Sequence, residues 1–149
     1  MGKRRRKFTA RSFESMGQVF IDPEGRQRKD TSANIYESML LSDAWHSLTD
    51  RQRSLYLIAK AQYFGKRKPQ QDYKEDTVSG EENFYLPWHA VNSQYRLYRD
   101  SCQSNFRKDM KALVERGFIE VAMSGKAHRT KTIYRYSDKW RTWKPEGKS

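Results

Sequence analysis

The sequence predicts a mixed α+β fold, mostly helical with a small antiparallel sheet. Two observations in the stretch 100–136 support this prediction. Apolar side chains recur at the i, i+4, i+7 and i+8 spacing of one helix face, at Phe106, Met110, Leu113 and Val114. Two β-prone runs, 118–123 and 133–136, then flank a polar and basic segment with one Gly, as is typical of a hairpin. A helix is therefore followed directly by a hairpin with a basic tip.

The predicted helix has recognisable ends. Asp100 or Ser101 can cap its first turn, and Gly117 stands where a left-handed residue commonly ends a helix. Cys102 falls on the same face as Phe106, so we expect it to be a small buried apolar residue. Because it is the only cysteine, the chain cannot form an internal disulfide.

The outward face of this helix carries small polar, amide and basic side chains. They are Gln103, Ser104, Arg107, Lys108 and Lys111. Amides and Arg can pair with base edges and Lys can meet phosphate, so these side chains suit a helix that enters the major groove of DNA. An ordinary solvated face has a similar composition, and the interpretation therefore depends on the neighbouring elements. A supporting helix before this one and a basic hairpin after it together predict a winged helix-turn-helix.

The folded domain is expected to begin near residue 32, with helical spacing over 35–40 and a short helix capped by Ser42. Thr49 to Gln52 reads as a capping box that opens a longer helix, reaching to about Phe64. Leu57 falls on the opposite side of that helix from its main apolar face. We expect another part of the chain to cover Leu57, with a partner protein as the alternative.

The next segments lead to the turn before the groove-facing helix. Residues 65–83 read as a flexible insertion, because they have no periodicity. A short strand at 84–86 and a supporting helix opened by Pro87 follow. The turn after that helix holds Arg96, Tyr98 and Arg99, whose side chains can bond phosphate. Near the end of the chain, Trp140 and Trp143 are expected to pack back on the domain, with base stacking as the alternative.

Basic residues also occur at the hairpin tip and at the start of the chain. We expect the tip side chains of Lys126, Arg129 and Lys131 to hold the DNA backbone. Residues 1–31 are predicted to be a basic and largely flexible arm, with at most a small strand pair. Arg4, Arg5 and Arg6 lie in this arm, and contact with DNA or a merely solubilising role are both open for them. The winged-helix domain is then 32–143, and 144–149 is a tail.

The charge balance indicates a polyanionic partner. Thirty basic residues stand against eighteen acidic ones among 149, a formal net charge of +12. Such an excess points most often to nucleic acid and next to an acidic membrane surface. No apolar run approaches the length that spans a bilayer, so we expect no membrane partner.

Three phrases of the sequence resemble the winged-helix domains of plasmid and mobile-element replication proteins. They are Asn34 to Ser42 with Ala44-Trp45, Leu113 to Ile119, and Ile133 to Ser137 followed by Trp140. The chain is also similar to small proteins carried on conjugative elements of Gram-positive bacteria. The resemblance implies a winged-helix fold and a role in the replication, transfer or regulation of a mobile element. It also implies a bacterial cytoplasmic location, associated with the nucleoid or a plasmid. Its phrases consist mainly of core and capping residues, and the chain has no nuclease or ATPase signature.

Sequence-specific binding of double-stranded DNA is the function that the sequence predicts. A protein-interaction module of a replication or transfer complex and an RNA-binding protein are the alternatives, and a protein partner or homodimer is left open. His46, His89 and His128 lie in different predicted elements, and no phosphate loop, zinc spacing or nucleophile elbow occurs. We therefore expect no enzymatic activity, no cofactor and no metal.

Overall fold

The chain divides into two units between Ser32 and Ala33. A computed structural model describes residues 19–29, 34–62, 83–99, 102–123 and 132–146. In the first unit, β1 (Val19–Ile21) pairs antiparallel with β2 (Gln27–Lys29). The Asp22 side chain accepts hydrogen bonds from the backbone N–H groups of Glu24 and Arg26, at 3.0 and 2.8 Å, which fixes the turn between these strands. A small strand pair thus lies inside the segment that was predicted to be largely flexible.

The second unit begins with three helices, α1 (Glu37–Leu40), α2 (Asp43–Ser47) and α3 (Asp50–Lys60). Ser42 Oγ caps α2 by accepting from the Trp45 backbone N–H at 3.2 Å. Thr49 and Gln52 form both bonds of the predicted capping box at the start of α3. The predicted starts of these two helices are therefore confirmed.

The predicted end of α3 near Phe64 is wrong, because the helix ends at Lys60. The hydroxyl of Tyr136 bonds the carbonyl oxygens of Ala59, at 2.6 Å, and of Gln62. These carbonyls are among those that a longer helix would need for its own hydrogen bonds. Leu57 on the outer side of α3 is 44% exposed, so the expectation that the chain covers it is also wrong within the described residues.

The remaining elements are β3 (Asn83–Phe84), a π-helix (Ala90–Gln94), α4 (Gln103–Glu115), β4 (Ile119–Met123), β5 (Ile133–Tyr136) and a 3₁₀ helix (Lys139–Arg141). The three strands form one antiparallel sheet with β5 in the middle, in the order β3-β5-β4. Asn83, which was predicted to belong to the insertion, is buried in β3 opposite Arg135 and accepts a hydrogen bond from its Nε at 3.3 Å. The architecture is α+β, as predicted.

The core of this unit lies between the helices and the sheet. Aromatic rings dominate it, with Phe118 against Tyr56 at a centroid distance of 5.0 Å and against Trp140 at 6.3 Å. Trp140 is buried and Trp143 is half-buried beneath the Arg116 guanidinium, so both pack back on the domain as predicted. No helix in the described ranges is long and apolar enough to cross a membrane.

Helix α4 ends with two hydrogen bonds of the Schellman type. The N–H groups of Gly117 and Phe118 donate to the carbonyls of Val114 and Leu113, at 3.1 and 3.0 Å. Gly117 has φ +81°, the left-handed conformation that was predicted for it. This end leads directly into β4, so the position of β4 relative to α4 is fixed by these bonds.

Candidate nucleic-acid interface

Helix α4 presents one buried and one exposed face, as its periodicity predicts. Phe106, Met110 and Leu113 are buried, and Val114 is half-buried against the core. The outward side chains that were predicted to meet DNA are all exposed; they are Gln103, Ser104, Arg107, Lys108 and Lys111. Glu115 is the only carboxylate on this exposed face, at its C-terminal end, and it pairs with Lys111 at 3.8 Å. The N-terminal half of the face therefore carries positive charge and amide groups without an acid among its described residues.

The start of α4 differs from the prediction. Cys102 is its N-cap residue, with extended backbone and no side-chain capping bond, and Asp100 and Ser101 lie outside the described residues. Cys102 is half-buried and its sulfur lies 3.0 Å from Ser104 Oγ, so the expectation of a buried core cysteine is wrong. The reason is positional, because an N-cap residue precedes the helical turns that face the core. No acidic residue occupies the first turn, so no described carboxylate within that turn opposes the positive end of the helix dipole.

Asp109 is a buried residue beside the candidate site whose structural role sequence reasoning missed. It lies on α4 and is only 2% exposed, although a charged residue at a helical position is expected to face solvent. Its carboxylate accepts from Arg51 Nε at 2.7 Å, from the Tyr98 hydroxyl at 2.7 Å and from Gln52 Nε2 at 3.3 Å. Asp109 therefore ties α4 to the first turn of α3 and to the turn that precedes α4.

The turn residue Tyr98 has a structural role in place of the predicted phosphate contact. Its ring is buried and packs edge-on against Phe106 at 5.9 Å, while its hydroxyl is held by Asp109. The Arg51 guanidinium lies 5.2 Å from the centre of the same ring. Tyr98 thus anchors the turn, which leaves Arg96 and Arg99 as the residues of this segment that can reach a ligand.

Arg96 and Arg99 are both exposed on the turn. Arg96 has φ +54°, and no other residue except glycine has a positive φ in the described ranges. A left-handed conformation costs a residue with a Cβ roughly 1–2 kcal/mol. The fold therefore accepts backbone strain at a position that carries an exposed Arg side chain, a feature found often at functional sites.

Four cations near α4 have no partner in the described part of the chain. The side chains of Arg96, Arg99, Arg107 and Lys108 meet neither a carboxylate nor an aromatic ring there. Elsewhere the described cationic side chains are matched: Lys139 pairs with Glu120 at 3.5 Å, for example, and Lys60 lies over the Tyr136 ring. The unmatched positive charge is therefore concentrated on the turn and on the first half of α4.

Six of the predicted DNA contacts lie outside the described residues. They are Arg4, Arg5, Arg6, Lys126, Arg129 and Lys131. The hairpin formed by β4 and β5 is described on both sides of its tip, with Val121 opposite Tyr134 and Met123 opposite Ile133. The contacts expected of the tip and of the basic arm remain predictions from the sequence.

Among the described residues, no three His, Cys, Asp or Glu side chains lie close enough together to hold a metal ion. Comparisons of the chain with protein-family models, with curated proteins and with solved structures find no match. The geometry of the turn and of α4 is therefore the basis for a functional assignment.

Proposed function

We propose that residues 33–149 form a winged helix that binds double-stranded DNA, with α4 as the helix that enters the major groove. The order of the elements supports this proposal: three helices, a strand, a short helical segment, α4 and then two strands. The sheet order β3-β5-β4 supports it further, because β4 and β5 form a hairpin that directly follows α4. In helix-turn-helix proteins the second helix of the pair contacts base edges through its N-terminal residues.

The observation that carries the proposal is the group of four unmatched cations, Arg96, Arg99, Arg107 and Lys108. No described residue compensates their positive charge, so a nucleic acid can bind them without displacing a described carboxylate. Each neutralised phosphate releases condensed counterions, which is the main source of affinity for nucleic acid. A duplex offers phosphates on both sides of the groove that would receive α4.

Within this proposal the polar residues have different roles. Gln103, Ser104 and Arg107 lie at the start of α4 and read base edges, because amide and guanidinium groups can pair bidentately with them. Arg96, Arg99 and Lys108 bind phosphate and fix the register of the helix on the duplex. Lys111 already pairs with Glu115, so we assign it a smaller share of the phosphate contacts.

The process that this binding serves follows from the sequence resemblance alone. We propose replication, transfer or regulation of a mobile element, with the protein acting as a DNA-binding factor and not as an enzyme. The basic arm and the hairpin tip, through Arg4, Arg5, Arg6, Lys126, Arg129 and Lys131, add phosphate contacts in this scheme.

The test compares two variants that lose the same net charge. One replaces the unmatched cations Arg96, Arg99, Arg107 and Lys108 by Gln. The matched control replaces Arg26, Lys139, Arg141 and Lys144 by Gln, four exposed cations that already contact a carboxylate or a ring. Affinity for a site selected from random duplex DNA is measured over a range of salt concentrations, with an RNA competitor in parallel.

If Arg96, Arg99 and Lys108 each neutralise one phosphate, the slope of log K against log salt becomes shallower by about 2.7 in the first variant. The control variant should change the slope by less than about 1, because its cations are outside the interface. Equal changes in both variants would show that only net charge matters, and would overturn the assignment of the site. Stronger competition by RNA than by duplex DNA would replace DNA with RNA as the ligand.

A second candidate function is a protein-interaction module. It is favoured by large apolar side chains that are exposed in α1, α3 and the residues flanking α1, namely Tyr36, Leu40, Leu41 and Leu57. If the wild-type protein binds neither duplex DNA nor RNA in the experiment above, this function becomes the better explanation of the fold.

A further inference from the structure

A cavity of about 370 Å³ opens between α1, α3 and the segment that follows β5. Small-molecule sites in proteins have volumes of roughly 300–1,000 Å³. None of the residues that line this cavity belongs to the proposed DNA interface. It is therefore a separate feature of the molecule, and its chemistry can be considered independently.

Aromatic side chains form much of the cavity wall. Tyr36, Tyr56, Tyr136 and Trp140 all line it, together with Met39. Flat rings pack against other flat rings in offset or edge-on arrangements that add to simple burial. A planar ligand is therefore better matched to these walls than a branched aliphatic one.

Lys60 supplies the cavity with a positive charge that no described carboxylate neutralises. Its Nζ lies 5.0 Å from the centre of the Tyr136 ring, and it has no carboxylate partner among the described residues. The neighbouring carboxylate Glu120 is already neutralised, by Arg135 at 3.3 Å and by Lys139 at 3.5 Å. Burial lowers the pKa of Lys60, which means that the ammonium form is partly deprived of water. An anion in the cavity would restore the lost stabilisation.

Tyr56 lines the cavity together with Lys60. Tyr56 and Lys60 are one turn apart on α3 and so lie on the same face of the helix. Tyr56 is only 2% exposed, and its hydroxyl bonds to none of the described residues. Burial and the nearby Tyr36 hydroxyl raise the pKa of Tyr56, so the phenol remains protonated and can donate. The Tyr136 hydroxyl, by contrast, already donates a hydrogen bond to the Ala59 carbonyl at the end of α3.

The cavity also carries charges that limit which anions fit. Lys60, Lys139 and Arg141 line it together with the carboxylates of Glu120 and Asp138. The cations therefore exceed the carboxylates by a single charge. This balance suits a monoanion better than a phosphate group or a dicarboxylate.

We propose that this cavity binds a small planar monocarboxylate, whose ring packs between the aromatic walls and whose carboxylate lies on Lys60 Nζ and the Tyr56 hydroxyl. Charge-assisted hydrogen bonds to a carboxylate are about twice as strong as neutral ones. The ligand would thus be recognised first by its charge and second by its flat shape.

The test uses benzoate as the probe and benzamide as its neutral counterpart of the same shape. Titrations are followed by the NMR shifts of the Trp140 indole and of the backbone around Tyr36 and Lys60. Benzoate should give saturable shifts and bind about ten-fold more tightly than benzamide, because one charged contact is worth about that factor. The variants Lys60→Met and Tyr56→Phe should weaken benzoate binding by about ten-fold and three-fold, respectively.

Lys108→Met is the matched control, since it removes an exposed lysine that does not line the cavity and should leave benzoate binding unchanged. Lys60→Gln serves as a second variant if Lys60→Met alters the spectrum of the free protein. Equal binding of benzoate and benzamide, equal losses in Lys60→Met and Lys108→Met, or shifts that do not saturate would each overturn the proposal.

Discussion

Gly117 shows how one residue can fix two elements at once. It is left-handed at the end of α4, and the segment around Lys139 and Trp140 passes directly over it, with the Trp140 N–H donating to the Gly117 carbonyl at 3.1 Å. A Cβ at this position would lie 2.6 Å from the Lys139 carbonyl carbon and 2.6 Å from the Trp140 nitrogen. Both conformation and space therefore require glycine, and no flexible side chain can move aside to relieve the contact.

Gly117→Ala should accordingly destabilise the second unit strongly. The left-handed conformation accounts for roughly 1–2 kcal/mol, and the backbone displacement adds about 1–3 kcal/mol. The measurement is the free energy of unfolding in urea. Gly25→Ala is a control for the left-handed conformation alone, because Gly25 has φ +80° but no heavy atom within 4 Å of its would-be Cβ. Since Gly25 belongs to the first unit, this variant should leave the unfolding of the second unit unchanged. If Gly117→Ala unfolds at the wild-type urea concentration, the close approach of residues 139–140 to Gly117 is wrong.

At the scale of the elements, one face of α4 packs against the core and the opposite face is exposed to solvent. Phe106 packs against Tyr98 and Trp88 with centroid distances of 5.9 and 5.7 Å, which anchors the helix to the turn before it. Lys108 lies two residues further along, on the exposed side, with no partner in the described ranges. Stability and binding should therefore respond to different substitutions in the same helix.

Phe106→Ala should lower the free energy of unfolding by about 3–5 kcal/mol, since it removes a buried aromatic ring and leaves a cavity. Lys108→Ala should change it by less than about 0.5 kcal/mol, as an exposed substitution. Thermal or denaturant unfolding of the two variants checks this contrast. A silent Phe106→Ala would mean that α4 is rotated about its axis and that the assigned DNA face is wrong.

The same helix shows what sequence patterns can and cannot predict. Its apolar face, its glycine end and the hairpin after it depend on residues close together in the chain, and they were predicted. The buried carboxylate of Asp109 was not, because its partners Arg51 and Gln52 lie more than fifty residues away and a periodicity argument treats every charge as exposed. The early end of α3 was missed for a similar reason, since the hydroxyl that ends it belongs to Tyr136 on β5.

At the scale of the whole molecule, net charge is the dominant feature. The formal net charge is +12, and five of the basic residues are consecutive, at positions 3–7. A run of like charges repels itself and gains most from a polyanion that neutralises it. The arm can thus contribute to DNA binding or simply add charge to the surface, and salt dependence separates these roles.

Deleting residues 2–7 should make the slope of log K against log salt shallower by up to about 4.5 if all five cations of the arm contact phosphate. A variant with Gln at each of positions 3–7 controls for the shortened chain and should give the same change. An unchanged slope in both variants would assign the arm a solubilising role and confine the interface to the second unit.

The bonds around Asp109 have an evolutionary consequence. The groups that fix the position of α4 are on its inner side and reach it through Arg51, Tyr98 and the aromatic core. Replacements at Gln103, Ser104 or Arg107 therefore change the exposed side chains of α4. They leave the buried contacts that fix its position unchanged. If α4 reads DNA, the chain can drift from one target sequence to another through single substitutions, each neutral for folding. If the protein also serves a mobile element, as we propose, this property would let its binding specificity change as the DNA sites of that element change.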